Sequence, residues 1–185
     1  MSIILSNIVI TLLDPIFALK MLQFDIYADQ AGYIYVFLLG SYSFFGFVGG
    51  TLEYIFTKKS LIILGYLTGT IGFCTIAHKF FIGANFLPFV IIGLFLNGFS
   101  VIGGNMFATM HTKAELMKEC EKVGISAKMA GGYFGGLKGS CNLIGSFLGP
   151  LISPNLYIEF GFDKTCIIMG MTQLAFVMYF YYKMH

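Results

Sequence analysis

Two ionisable residues, Asp14 and Lys138, fall inside long apolar stretches of the sequence, where a charge needs a partner or a water-filled cavity. Lys138 is near the middle of the stretch 126–152, and we place Asp14 at a similar depth in the first apolar stretch. We therefore predict an Asp14–Lys138 ion pair, in which protonation of Asp14 would release Lys138. The alternatives are that Lys138 is a structural charge extending toward the membrane interface, and that Asp14 only caps helical turns around Pro15.

Two asparagines, Asn97 and Asn142, also lie in apolar stretches, each on a helical face that it shares with small residues. Such amides can line a cavity, but hydrogen bonding between neighbouring helices is their more common use in membranes. The sequence leaves both roles open.

The stretch 126–152 is the element that must position Lys138. On a helix, a face about 120° wide collects its small and polar residues: Gly131, Gly135, Lys138, Gly139, Asn142, Gly145, Ser146 and Gly149. Small residues allow a neighbouring helix to approach closely, whereas a lysine and an asparagine are a poor surface for lipid. We therefore predict that this face is buried inside a bundle of helices.

The composition defines the class of protein. The chain is 57% hydrophobic and only 11% charged, with a mean hydropathy of +0.83, which is typical of a polytopic membrane protein in contact with lipid. The net charge of +2 and the dispersed lysines do not favour nucleic-acid binding. The four cysteines lack paired spacing, and no catalytic motif is present. We predict a protein that is not an enzyme and that uses no metal or cofactor.

Six apolar segments are long enough to cross a bilayer as helices. We therefore predict an all-α membrane protein in which residues 1–185 form a single six-helix transmembrane bundle, with spans at about 3–22, 31–50, 60–77, 86–110, 127–150 and 164–182. The charged piece between the fourth and fifth spans is predicted to be a short amphipathic helix or a solvated loop. His78 and His111, at the ends of spans, are expected to be solvated.

The lysines predict the orientation of these spans. One set of span ends carries seven of them (Lys58, Lys59, Lys113, Lys118, Lys122, Lys128 and Lys183), and the other set carries three (Lys20, Lys79 and Lys164). Because cytoplasmic loops carry the excess of basic residues, both termini are predicted to be cytoplasmic.

Three short patterns resemble those of a known transporter superfamily. The spacing of Gly136, Gly145, Gly149-Pro150 and Ser153 resembles motif C of the major facilitator superfamily. Gly49, Glu53 and Lys58-Lys59 resemble its cytoplasmic loop motif, motif A, without the middle glycine and the first basic residue. Leu13-Asp14-Pro15 followed by Phe24 is similar to the seventh helix of vesicular polyamine and monoamine transporters.

The whole chain thus resembles the C-terminal six-helix half of such a carrier. The resemblance implies a secondary transporter that exchanges a small organic cation for protons in an organelle or vesicle membrane. Asp14 would carry the proton or bind the cation, Lys138 would set its charge state, and Asn97 and Asn142 would orient the ligand. A lysine on the face toward a cationic ligand counts against an amine. Since carriers enclose their substrate between two halves, the chain would pair with a second six-helix half or form a homodimer. The alternative is a non-transporting subunit or a truncated remnant that only assembles with other helices.

Overall fold

The computed structural model describes residues 1–184, so residue 185 of the predicted domain 1–185 lies outside the described residues. This part of the chain is almost entirely helical and contains no strand. The helices are α1 (Ser2–Met21, followed by a 3-10 turn at Leu22–Phe24), α2 (Ala28–Ile55), α3 (Lys58–Ile76), α4 (His78–Ile82), α5 (Leu87–Ile102), a π-helical segment (Gly103–Phe107), α6 (Ala108–Lys122) and α7 (Ala127–Met184).

Five helices of the described chain are long and apolar enough to cross a membrane, and α7, which has a kink, is long enough for two crossings. Gly161 interrupts α7 with φ 75° and ψ 171°, a backbone conformation that favours glycine. It separates a first segment (127–160) from a second segment (162–184). The second segment runs antiparallel to α1, since Lys20 contacts Asp163 while Met1 and Tyr179 border the same groove. The prediction of an all-α protein is confirmed for the described residues, and its helices are long and apolar enough to span a membrane.

The helix boundaries differ from the predicted spans at two places. The helix that contains the fourth predicted span continues past residue 110, because α5, the π-helical segment and α6 are continuous from Leu87 to Lys122. The first segment of α7 continues past Pro150 and Pro154, so the break between the fifth and sixth predicted spans lies at Gly161 and not at residue 150. Each proline removes one backbone donor, and membrane helices tolerate that loss.

Glycines set the closest contacts between helices. A Cβ atom added to Gly65 of α3 would lie 2.7 Å from the Cα of Gly103, so the two backbones touch. A Cβ added to Gly145 of α7 would lie 2.6 Å from the carbonyl oxygen of Ile4 in α1, and one added to Gly98 of α5 would lie 2.8 Å from the carbonyl oxygen of Leu38 in α2. These contacts place α1 beside the first segment of α7 and α2 beside α5.

At the end of the bundle opposite the N-terminus, the structure buries two side chains that sequence reasoning placed at the ends of spans, Lys20 and His78. Lys20 is fully buried and makes a 3.0 Å ion pair with Asp163 and a 3.2 Å hydrogen bond to the Asn85 amide oxygen. His78 is also buried, which corrects the expectation that it is solvated. Its Nε2 accepts a 2.6 Å hydrogen bond from the backbone N–H of Phe86, so it closes the turn into α5.

Candidate functional site: the Lys138 cavity

A cavity of about 360 Å³ lies between α2, the π-helical segment and the first segment of α7. We call it the Lys138 cavity, after the side chain that α7 directs into it. The polar residues that line it are Tyr42, Ser43, Asn105, Thr109 and Lys138, and the others are Gly46, Ile102, Met106 and Met110. The half-buried Lys138 therefore lines one cavity together with hydroxyl and amide side chains from neighbouring helices.

The π-helical segment shapes one wall of this cavity. It begins at Gly103-Gly104, where the backbone of α5 packs against Gly65 and against the Tyr66 hydroxyl of α3. The wider turn that follows carries Asn105 and Met106 into the cavity wall. Short π-helical turns inside α-helices are frequent at functional sites, where they redirect side chains.

The electrostatics of the cavity are those of an uncompensated cation. Among the described residues, no carboxylate lies within 4.0 Å of the Lys138 ammonium group. The Thr109 hydroxyl oxygen is buried, and within residues 1–184 it has no hydrogen-bond partner. An unpaired charge and an unsatisfied hydroxyl inside a bundle are both unfavourable without a ligand or water. The cavity is therefore suited to binding a polar molecule.

The predicted Asp14–Lys138 pair is wrong. Asp14 is exposed and borders a different cavity of about 200 Å³ between α1 and α2, next to Phe17 and Tyr35. The helices run parallel with Asn7 of α1 opposite Asn142 of α7. With this register Lys138 is level with Ile3, about 11 residues from Asp14, or roughly 16 Å at about 1.5 Å per residue. The prediction assumed that both spans begin at the same depth in the membrane. In the structure, the first segment of α7 extends beyond the N-terminus of α1.

The two asparagines lie apart from the Lys138 cavity. The Asn142 side-chain oxygen accepts a 3.0 Å hydrogen bond from the Asn7 amide, so Asn142 joins two helices. Asn97 is fully buried between α5 and α3, and its amide donates a 2.9 Å hydrogen bond to the carbonyl oxygen of Gly93. Its own side-chain oxygen is buried and has no hydrogen-bond partner in the described part of the chain. In both cases the contacts are those of helix packing.

Only half of the glycine face on α7 is buried. Gly145 and Gly149 pack against α1, as a buried face requires. Gly136 is exposed, and a Cβ atom added there would meet no atom of the described chain within 4 Å; Pro150 is exposed as well. The same open space surrounds four more glycines of this segment, Gly131, Gly132, Gly135 and Gly139. The prediction of a continuously buried face is therefore wrong for residues 131–139.

The loop motif lies beside the cavity. A Cβ added to Gly49 would touch Met106 and Phe107 at 3.4 Å, so α2 packs closely on the π-helical segment there. One carboxylate oxygen of Glu53 is buried and has no hydrogen-bond partner among residues 1–184. Lys58 and Lys59 form the first turn of α3, with Lys58 half-buried and Lys59 exposed.

Sequence reasoning missed the cavity residues other than Lys138. Tyr42, Ser43, Asn105 and Thr109 have no distinctive spacing, and only the Gly103-Gly104 pair preceding Asn105 marks an irregular helix. In the part of the chain that the structure describes, no group of three His, Cys, Asp or Glu side chains is placed to hold a metal ion.

Fold and site together define the class: an all-α protein whose helices are long and apolar enough to span a membrane, with a charged cavity between them. Comparison with protein-family models, with curated proteins and with solved structures gives no match for this chain.

Proposed function

We propose that the chain is a six-helix half of a secondary transporter, with the half-fold of the major facilitator superfamily, and that the Lys138 cavity belongs to its solute pathway. The observation that carries the proposal is the half-buried Lys138, which lines a cavity with hydroxyl and amide side chains between helices long and apolar enough to span a membrane. Ionisable residues in such positions are expensive to bury and commonly mark solute or ion pathways.

The helix pairing supports this proposal. The six crossings in chain order are α1, α2, α3, α5 and the two segments of α7. If the first three are exchanged in order with the last three, the parallel pair of α1 and the first segment of α7 becomes the parallel pair of α5 and α2. Both pairs are present in the structure. The remaining helices, α3 and the second segment of α7, pack antiparallel, with Gly69 beside Gln173 and Gly170 beside Phe73. Inverted repeats of three helices are a property of carrier halves in this superfamily.

Orientation and coupling complete the proposal. The lysine-rich end, which carries Lys58, Lys59 and α6, faces the cytoplasm, together with both termini. Asp14, in its separate cavity between α1 and α2, carries the exchanged proton. The solute site is completed by a second six-helix half, because carriers of this kind bind their substrate between two halves.

Uptake into vesicles tests the proposal. The purified chain is reconstituted into liposomes, and labelled small organic anions, cations and neutral solutes are offered under an imposed pH gradient. We expect uptake of at least one class, reduced about tenfold or more by Lys138→Met, because hydrogen bonds to a charged group are the strong ones. Lys128→Met, which removes an exposed lysine of the same helix, is the matched control and should leave uptake unchanged. Equal uptake by wild type and Lys138→Met would contradict the proposal.

A second candidate function is a non-transporting subunit that only assembles with other helices. The open glycine surface at residues 131–139 favours it, because small residues without neighbours in the described chain allow another helix to approach closely. Absence of uptake for all three solute classes, with Gly135→Leu disrupting a detergent-stable oligomer, would support this function instead.

A further inference from the structure

We infer that the Lys138 cavity binds a small organic monocarboxylate, with the carboxylate on Lys138 and an apolar body toward α5. This inference deepens the proposed function by naming the class of solute, and so it rests on that proposal.

The charge in the cavity favours an anion. The Lys138 ammonium group has no carboxylate within 4.0 Å in the described chain, so a cationic ligand would meet repulsion with nothing to offset it. The nearest acid on α2, Glu53, is seven residues beyond the cavity residue Gly46, or roughly 10 Å along the helix. Where water is partly excluded, an ammonium group and a carboxylate attract more strongly than they do in water.

The hydrogen-bonding groups point to the same ligand. Tyr42, Ser43 and Thr109 supply hydroxyl donors, and Asn105 supplies an amide donor. The buried Thr109 hydroxyl oxygen has no hydrogen-bond partner within residues 1–184, so its proton is free for a ligand. An ionised carboxylate only accepts hydrogen bonds, so each of these donors can bind it. Because hydroxyl and amide oxygens also accept hydrogen bonds, the discrimination against an ammonium ligand comes from the charge of Lys138.

The size and the apolar wall restrict the ligand further. A volume of about 360 Å³ is at the lower end of small-molecule pockets. Ile102, Met106 and Met110 form the wall toward α5 and α6, and this surface suits a small apolar body. Lys138 is the single basic residue that lines the cavity within the described chain, so it can pair with one carboxylate. A second carboxylate on the ligand would have no cationic partner.

Equilibrium binding of three probes of the same shape tests the inference. The full chain in lipid nanodiscs is offered labelled benzoate, benzylamine and benzyl alcohol, which are anionic, cationic and neutral. We expect benzoate to bind most tightly, with an affinity that falls about tenfold or more in Lys138→Met, since a hydrogen bond to a charged group is lost. Lys138→Arg should retain most of the affinity, and Thr109→Val should lower it more weakly. Lys128→Met should bind as wild type does, and gel filtration checks that each variant is folded.

Several outcomes would overturn the inference: tighter binding of benzylamine than of benzoate, binding of none of the probes, or equal benzoate affinity in wild type and Lys138→Met. Because binding does not require transport, the two proposals fail separately. Benzoate binding without uptake of any solute would contradict the transporter and leave the binding site standing. Uptake of amines without benzoate binding would contradict the carboxylate site alone.

Discussion

Replacement of Asp163 by asparagine is expected to lower the free energy of unfolding by about 3 kcal/mol, because it leaves a buried ammonium group without its counter-charge. Lys20 is fully buried, 3.0 Å from the Asp163 carboxylate and over the ring of Phe162. Without the carboxylate, the Asn85 amide oxygen at 3.2 Å is the one polar partner that remains to Lys20 in the described chain. Unfolding by denaturing detergent, followed by circular dichroism, measures the loss.

Further substitutions serve as controls, because the two partners of this ion pair are buried to different extents. The Asp163 side chain is 20% exposed whereas Lys20 is not exposed at all, so Lys20→Met should cost less than Asp163→Asn. Replacing both partners by apolar residues should recover much of the loss, since no charge is then left buried. Asp29→Asn removes an exposed carboxylate and should have little effect. If Asp163→Asn and Asp29→Asn proved equally stable, the buried ion pair would be disproved.

Replacement of Gly65 by alanine is expected to cost about 2 to 3 kcal/mol of stability, as overpacking of a tight core does. The new methyl group would lie 2.7 Å from the Cα and 3.3 Å from the nitrogen of Gly103, and a backbone cannot yield as a flexible side chain can. Helices α3 and α5 would have to separate. Since Gly103 begins the π-helical segment, the separation should also move Asn105 and weaken ligand binding in the Lys138 cavity.

Gly50→Ala is the matched control for this substitution. Gly50 lies inside a long helix as Gly65 does, but it is exposed, and a Cβ added there meets no atom of the described chain within 4 Å. Alanine is the better helix former, so this variant should be as stable as wild type or slightly more stable. Thermal denaturation in detergent compares the two variants, and a similar loss in both would show that α3 and α5 are not in backbone contact.

Hydropathy was sufficient to predict the helical class and the apolar crossings, because a run of about 20 apolar residues has few other stable arrangements. Such apolar runs do not predict how deep one helix lies relative to another. Asp14 and Lys138 each lie within an apolar stretch, yet the register that places Asn7 opposite Asn142 separates them by several turns. Only interhelical contacts fix that register.

Two further features were beyond sequence reasoning for the same physical reason. Lys20 is one lysine among the few at its end of the bundle, and its partner Asp163 is 143 residues away, so neither residue alone indicates a buried pair. Small residues follow the same helical periodicity from residue 131 to residue 149 of α7, but α1 packs only against Gly145 and Gly149. A pattern on one helix indicates which face can pack closely, and the neighbouring helices determine how much of it does.

The most direct test of the central claim, that Lys138 lines a water-accessible cavity between membrane-spanning helices, is labelling of cysteine variants by a membrane-impermeant thiol reagent. The four native cysteines are first replaced by alanine. Thiols react as thiolates, which form in water and not among lipid chains. We predict that Lys138→Cys reacts quickly and that Leu137→Cys, at the same depth but on the apolar face, does not. Protection of both positions, or rapid reaction at both, would contradict the account.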